Sequence, residues 1–197
     1  MALLCLLCMV VFPLIDLASV GWAAATGYLI ATESAGRAAQ SDSFERMLYA
    51  AAQQASSMSD SGFGRFAHIK PVRGINGSGV DIYIHVTSVS SARSESYGPN
   101  FAPPAVDTTS NIYECEARTH FLVYPFINLS AVPFIGKVPL LGEPCQLQFS
   151  CLRMVENPLA MADPANIGSP DRHTNHREPP ADPVNSSSSL HLAGATL

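Results

Sequence analysis

Charge is scarce in this 197-residue chain. Asp, Glu, Lys and Arg make up 14% of it, against roughly 25% in ordinary soluble domains. With a mean hydropathy of +0.16, this deficit implies that part of the chain does not live in water. Basic residues are the scarcer sign: 11 Lys and Arg stand against 16 Asp and Glu, for a net charge of −5. Phosphate backbones call for clustered cations, so no nucleic-acid partner is expected. Aromatics reach only 8%, which argues against a large aromatic-lined core. Catalytic motifs are missing too. The glycines of Gly62-Phe63-Gly64 and Gly74 to Gly79 lack the Gly-Lys-Ser/Thr end of a phosphate loop, and no Gly-x-Ser-x-Gly is present. His173, His176 and His191 lie in a Pro- and Ser-rich stretch without a frame to converge on a metal. Cys115 and His120, five apart on an extended segment, face opposite sides. Neither an enzyme nor a cofactor or metal is expected.

What the chain does have is an apolar beginning. From Met1 to Ile30 the single charged residue is Asp16, and the first cation is Arg37. About 20 apolar residues cross a bilayer, so residues 1–31 read as a transmembrane helix. Pro13 removes a backbone donor and should kink it. An acid at mid-membrane costs roughly 2.5–3.5 kcal/mol, so Asp16 is expected to face a protein partner or sit near an interface. The competing reading is a signal peptide cut near Ala23-Ala24-Ala25, although no basic n-region precedes it. Apolar residues begin at Ala2, which raises the expectation of a start further upstream. Arg37 and Arg46 after the span would by themselves place that side in the cytoplasm.

Residues 32–58 read as an amphipathic helix, or as two helices meeting near Gln40-Ser41. Glu33 and Arg37 have the i, i+4 order that favours a helix pair. Asp42 and Glu45 suggest a capping box. Behind them Phe44, Met47, Leu48, Ala51, Ala52, Ala55 and Met58 form one apolar stripe.

Residues 59–156 read as an α+β ectodomain with about three antiparallel strands. Val80 to Thr87 alternates strictly, with Val80, Ile82, Ile84 and Val86 on one face. Ile112 to Tyr124 sets Tyr113, Cys115, Ala117, Thr119, Phe121 and Val123 against Glu114, Glu116, Arg118 and His120. Cys145 to Met154 sets Cys145, Leu147, Phe149 and Cys151 against Gln146, Gln148 and Ser150. One buried and one wet face is the antiparallel pattern. So thin a core invites a staple. Cys115 could join Cys145 or Cys151 outside the cytoplasm, or all three could stay as buried thiols. Residues 157–197 lack aromatics and are rich in Pro, Asn, Asp and Ser, a composition that predicts a disordered tail.

One arrangement is more specific than any single motif. Phe12-Pro13-Leu14-Ile15-Asp16-Leu17 lies inside the apolar helix. Gly27-Tyr28, Glu33-Ser34-Ala35-Gly36-Arg37-Ala38-Ala39 and an alanine-rich amphipathic helix follow. This resembles TadE-like proteins, the pilin-like (pseudopilin) components of tight-adherence, Flp-type pilus assembly. Tyr124-Pro125-Phe126 and Cys151 to Glu156 resemble the connection and closing strand of such ectodomains. The resemblance implies a structural subunit anchored once in the inner membrane, with the ectodomain in the periplasm or outside. It implies other pilin-like subunits, pilus-assembly membrane proteins and the lipid bilayer as partners. Pro13 and Asp16 would serve helix packing, Asp16 by pairing with a neighbour, and Glu33 and Arg37 would set helix register. This orientation overrides the charge signal of Arg37 and Arg46. The other class left open is a secreted, signal-cleaved, non-catalytic binding module with a disordered tail.

Overall fold

The structure, a computed structural model, describes residues 7–130, 137–138 and 143–162. One turn of π-helix, Leu7–Val11, leads into α1, Phe12–Ala39. Pro13 sits in the first turn of α1, directly after the π turn, so its missing N–H falls where the helix passes from π to α. The irregularity expected inside the span therefore falls at the start of the α-helix, as the π turn. The run Met9–Ala39 is long and apolar enough to cross a membrane.

The chain turns after Gln40 and enters α2, Phe44–Asp60. The cap of α2 is Ser43, whose Oγ accepts from the Arg46 N–H at 3.2 Å. Asp42 instead pairs with the Arg46 guanidinium. The expected Asp42/Glu45 box is thus displaced by one residue, because Ser43 takes the extended backbone that a cap requires. Met47, Ala51, Ala52 and Ala55 of the expected stripe are buried, with Phe44, Leu48 and Met58 packed at its margin.

A short helix, α3 (Gly62–Phe66), and a short strand, β1 (Ile69–Pro71), follow. Then come β2 (Val80–Ser88), β3 (Ser94–Tyr97), β4 (Asn111–Val123) and β5 (Cys145–Met154). All pairings are antiparallel. The long central strand is β4. One of its sides pairs with β5; the other pairs first with β2 and then with β1. Outside β2 lies β3. The fold is the expected α+β arrangement of an apolar helix on an antiparallel sheet, with five strands in place of about three. The two additional strands have three and four residues, too few for an alternating pattern to register.

On β4 the buried face is Tyr113, Cys115, Ala117, Thr119, Phe121 and Val123, and on β2 it is Val80, Ile82 and Ile84. These are the faces that the alternation predicts. Residues 163–197 of the expected tail lie outside the described residues. Its beginning is ordered: Pro158–Met161 form a 3-10 turn and Met161 is buried in the core. The boundary expected after Glu156 therefore moves outward, because Met161 adds apolar area that a polar count of the segment overlooks.

The docking of α1 decides the shape of the core. Its buried residues are Asp16, Ser19, Ala23, Thr26, Gly27, Ile30, Ala31, Ser34, Ala35, Ala38 and Ala39. Their three- and four-residue steps define one face of the helix, and all but Ile30 are small or polar. At Gly27 an added Cβ would stand 2.5 Å from the Phe149 ring of β5. Bare backbone is therefore what lets the helix lie this close. At the upper end the Glu156 N–H donates to the Ala39 carbonyl at 3.0 Å.

Gly27→Ala should cost about 1–3 kcal/mol through overpacking. Adding Phe149→Ala should recover part of the loss. Thermal unfolding of the single and double variants in detergent measures both; a neutral Gly27→Ala would contradict the close approach.

Candidate functional site

Asp16 is fully buried, against the connection that follows β4. Its Oδ1 accepts the Ile127 N–H at 2.8 Å, a contact between residues 111 positions apart. A typical intramolecular hydrogen bond contributes about 0.5–1.5 kcal/mol. Ser19 Oγ donates to the Asp16 carbonyl at 2.7 Å. Asp16 Oδ2 and Ser34 Oγ, both on the docked face of α1, have no hydrogen-bond partner among the described residues. Asp16 thus ties the lower part of α1 to the connection that follows β4. Glu33 and Arg37 are exposed one turn apart near the top of α1, and no ion pair joins them among the described residues. Of the four expected packing residues, Asp16 makes a specific contact, Pro13 starts the helix and the other two face outward.

The opposite face of α1 carries the bulky residues. Leu14, Ile15, Leu17, Trp22, Tyr28 and Leu29 are exposed, Leu17 at 63% and Tyr28 at 56%. A helix on a soluble domain puts such residues inward. Here small and polar groups face the sheet and α2, and apolar bulk faces out. The sequence quoted all these residues, but with both faces free of charge it could not say which was which.

The cysteines divide. Register sets Cys145 opposite Val123, Cys151 opposite Ala117 and Cys115 opposite Arg153. Cys145 is thus eight residues along the ladder from Cys115, about 26 Å at strand rise, far beyond disulfide reach. The Cys115–Cys145 alternative is corrected on this ground. Cys115 and Cys151 share a face one diagonal step apart, and all three are free thiols. Burial pushes the Cys115 thiol up to about 12, with Cys151 and Glu116 adding to it. It stays protonated at ordinary pH and has no nucleophilic character.

The outer face of the sheet carries a polar lattice. Arg118 grips Glu116 with Nε at 2.8 Å and Nη2 at 2.9 Å, and lies 4.2 Å over the Tyr83 ring. His85 Nε2 is 2.8 Å from Glu116 Oε2, and His120 Nε2 is 3.9 Å from Asp81 Oδ2. The Arg118 hydrogen bonds hold the Glu116 carboxyl down at about 2, against an opposing push from burial, and His85 assists. Each charge here has a partner within the sheet, so the lattice reads as register-fixing across β2 and β4. His120 points away from Cys115, as the alternation predicts.

A polar cleft of about 310 Å³ lies at the other end of the sheet, between β3 and the loop before β4. Its Tyr97 hydroxyl is spent on Glu95 at 2.7 Å, and its Tyr113 hydroxyl accepts from the Asp107 N–H at 2.8 Å. Among the described residues no group of His, Cys, Asp and Glu is arranged to hold a metal ion.

Missed by the sequence reading is an aromatic cluster at the lower end of the domain. Trp22 lies 5.0 Å from Phe63 and 5.7 Å from Phe66, Phe66 lies 5.5 Å from Phe126, and His68 stacks on Phe126 at 4.3 Å. The three contributing segments are far apart in the chain. The one signal was two phenylalanines within the glycine-rich stretch at Gly62 to Phe66. Comparison with protein families, curated proteins and solved structures finds no match.

Glu116 binds its proton more weakly folded than unfolded, so its stabilisation is complete above the ordinary carboxyl value of 4.5. It is lost as pH falls from there toward about 2. The wild type should therefore lose stability over that window more steeply than Glu116→Gln. Urea unfolding midpoints at a series of pH values check this; parallel curves would contradict it.

Proposed function

We propose that the chain is a membrane-anchored, pilin-like structural subunit of a Flp/Tad-type pilus or secretion apparatus, as its resemblance to TadE-like proteins implies. The observation that carries the reading is the inverted α1. Its small-residue face is spent on its own sheet and on α2, and apart from Trp22, which touches Phe63 and Phe66, its bulky apolar face is bare among the described residues. An exposed apolar stripe of this length requires a nonaqueous neighbour. Lipid supplies one for the lower part of the stripe before assembly, and the same stripe of other subunits covers its whole length afterwards. The neighbours in this reading are pilin-like subunits and assembly proteins of the inner membrane. The ectodomain lies in the periplasm or outside, and the role is non-catalytic.

Packing also weighs between this reading and a secreted, cleaved module. A cut near Ala25 would remove Asp16, Ser19 and Ala23 from the docked face. It would leave the Ile127 N–H without its acceptor and strip cover from the lower sheet. The fold therefore favours a retained helix.

Photo-crosslinking in membranes tests the proposal. A photoreactive residue at Leu17 or Tyr28 should yield ladders of subunit adducts, and the same residue at the buried Ala35 should not. Mass spectrometry should find the mature chain still carrying Asp16. A soluble monomer trimmed near Ala25, with no adducts from any position, would overturn it.

A further inference from the structure

The aromatic cluster lies where β4 ends and β5 begins, beside the part of α1 held by Asp16. Several features coincide there. Trp22, Phe63 and Phe66 are exposed at 43%, 42% and 57%, unusual for rings that also touch one another. Beside them runs a cleft of about 270 Å³ lined by Ile15, Ala18, Ser19, Trp22, Phe66 and Phe126. Its lone polar side chain, Ser19, already donates its hydroxyl proton to the Asp16 carbonyl. The cleft thus suits hydrocarbon.

Charge supplies the second half. In a chain of net charge −5, the stretch from Ser61 to Gly79 contains no Asp or Glu and three cations. Two of these flank the cluster. Arg65 is on α3 between the exposed phenylalanines, and Lys70 is on β1, two residues after the His68 that stacks on Phe126. Arg65, His68 and Lys70 are all exposed. Arg65 spends its Nε on the Asp60 carbonyl at 2.9 Å, leaving the rest of the guanidinium free to face outward.

We propose that this end of the domain is a footing on an anionic bilayer surface. The aromatic rings sit at headgroup depth, Arg65 and Lys70 face the lipid phosphates, and the cleft takes the upper part of an acyl chain. Amphipathic rings and cations at this level are the signature of a membrane interface. The first turns of α1 then lie in the lipid, while the sheet stands on the surface above them. The proposal rests on the membrane-anchored reading and adds to it a depth, an orientation and a lipid preference.

Trp22 is the only tryptophan, so it reports on the footing directly. The full chain is reconstituted into phosphatidylcholine vesicles, with or without phosphatidylglycerol, that carry lipids brominated high on the acyl chain. Flotation reads the anchor, and quenching of Trp22 reads the footing. The expected result is co-flotation with both vesicles and at least twofold stronger quenching in the anionic ones. Lys70→Glu alone, and with Arg65→Glu, should abolish that excess while leaving flotation unchanged. Co-flotation with unquenched Trp22, or with equal quenching in the two lipids, would overturn the footing and leave the anchor intact. Failure to float in either lipid would overturn the anchored reading and the footing with it.

Discussion

Everything else in the structure depends on how closely α1 approaches the sheet. Ala23, Gly27, Ala31, Ser34 and Ala38 hold almost no side-chain volume between the helix backbone and the strands and α2 packed on it. The Phe149 ring fills the space over Gly27, and Oδ1 of Asp16 fastens the lower end to the Ile127 N–H. A helix of Leu and Ile on this face could not come so near without prising β5 away. Small residues give little apolar burial each, so the seam gains its stability from length and from hydrogen bonds at its two ends. The second of these is the Glu156 N–H to the Ala39 carbonyl.

That economy on the inner face releases the bulky residues for the outer one. Leu14, Leu17, Trp22, Tyr28 and Leu29 lie where a water-soluble domain would place polar groups. The arrangement resembles helix packing inside membranes, where small residues form the contact and apolar bulk meets lipid. It also modifies the picture of a free-standing span over residues 1–31. From Asp16 onward one side of the helix is protein, so lipid or a neighbouring helix can reach only the other. The lattice of Glu116, Arg118 and His85 on the far side of the sheet is satisfied within itself, leaving the outward stripe of α1 as the surface most in need of a partner.

Much of this was legible in the sequence. Strict alternation revealed β2, β4 and β5 and both of their faces, because a half-buried strand must alternate. The stripe of Met47, Ala51 and Ala55 revealed α2. Short strands left no such trace: β1 holds Ile69–Pro71, and β3 holds the polar run Ser94–Tyr97. The role of Asp16 was half legible. Its cost in an apolar helix said that it must have a partner, but the partner lies 111 residues away and no local pattern points there. The Cys115–Cys145 pairing failed because facing direction alone does not give register. Trp22, the α3 pair Phe63 and Phe66, and Phe126 come from three separate segments, so their cluster exists only after folding.

The account's central claim is that α1 is bound to the sheet by one face and bare on the other. Spin labels placed singly along residues 14–35 of the full chain in vesicles test it most directly, read by accessibility to molecular oxygen. Oxygen access should oscillate with a period near 3.6 residues. Minima should fall at Ser19, Ala23, Thr26 and Ile30, and maxima at Leu17, Gly21 and Tyr28. Uniformly high access around the helix would mean that it stands free in lipid, and the docked seam would be wrong.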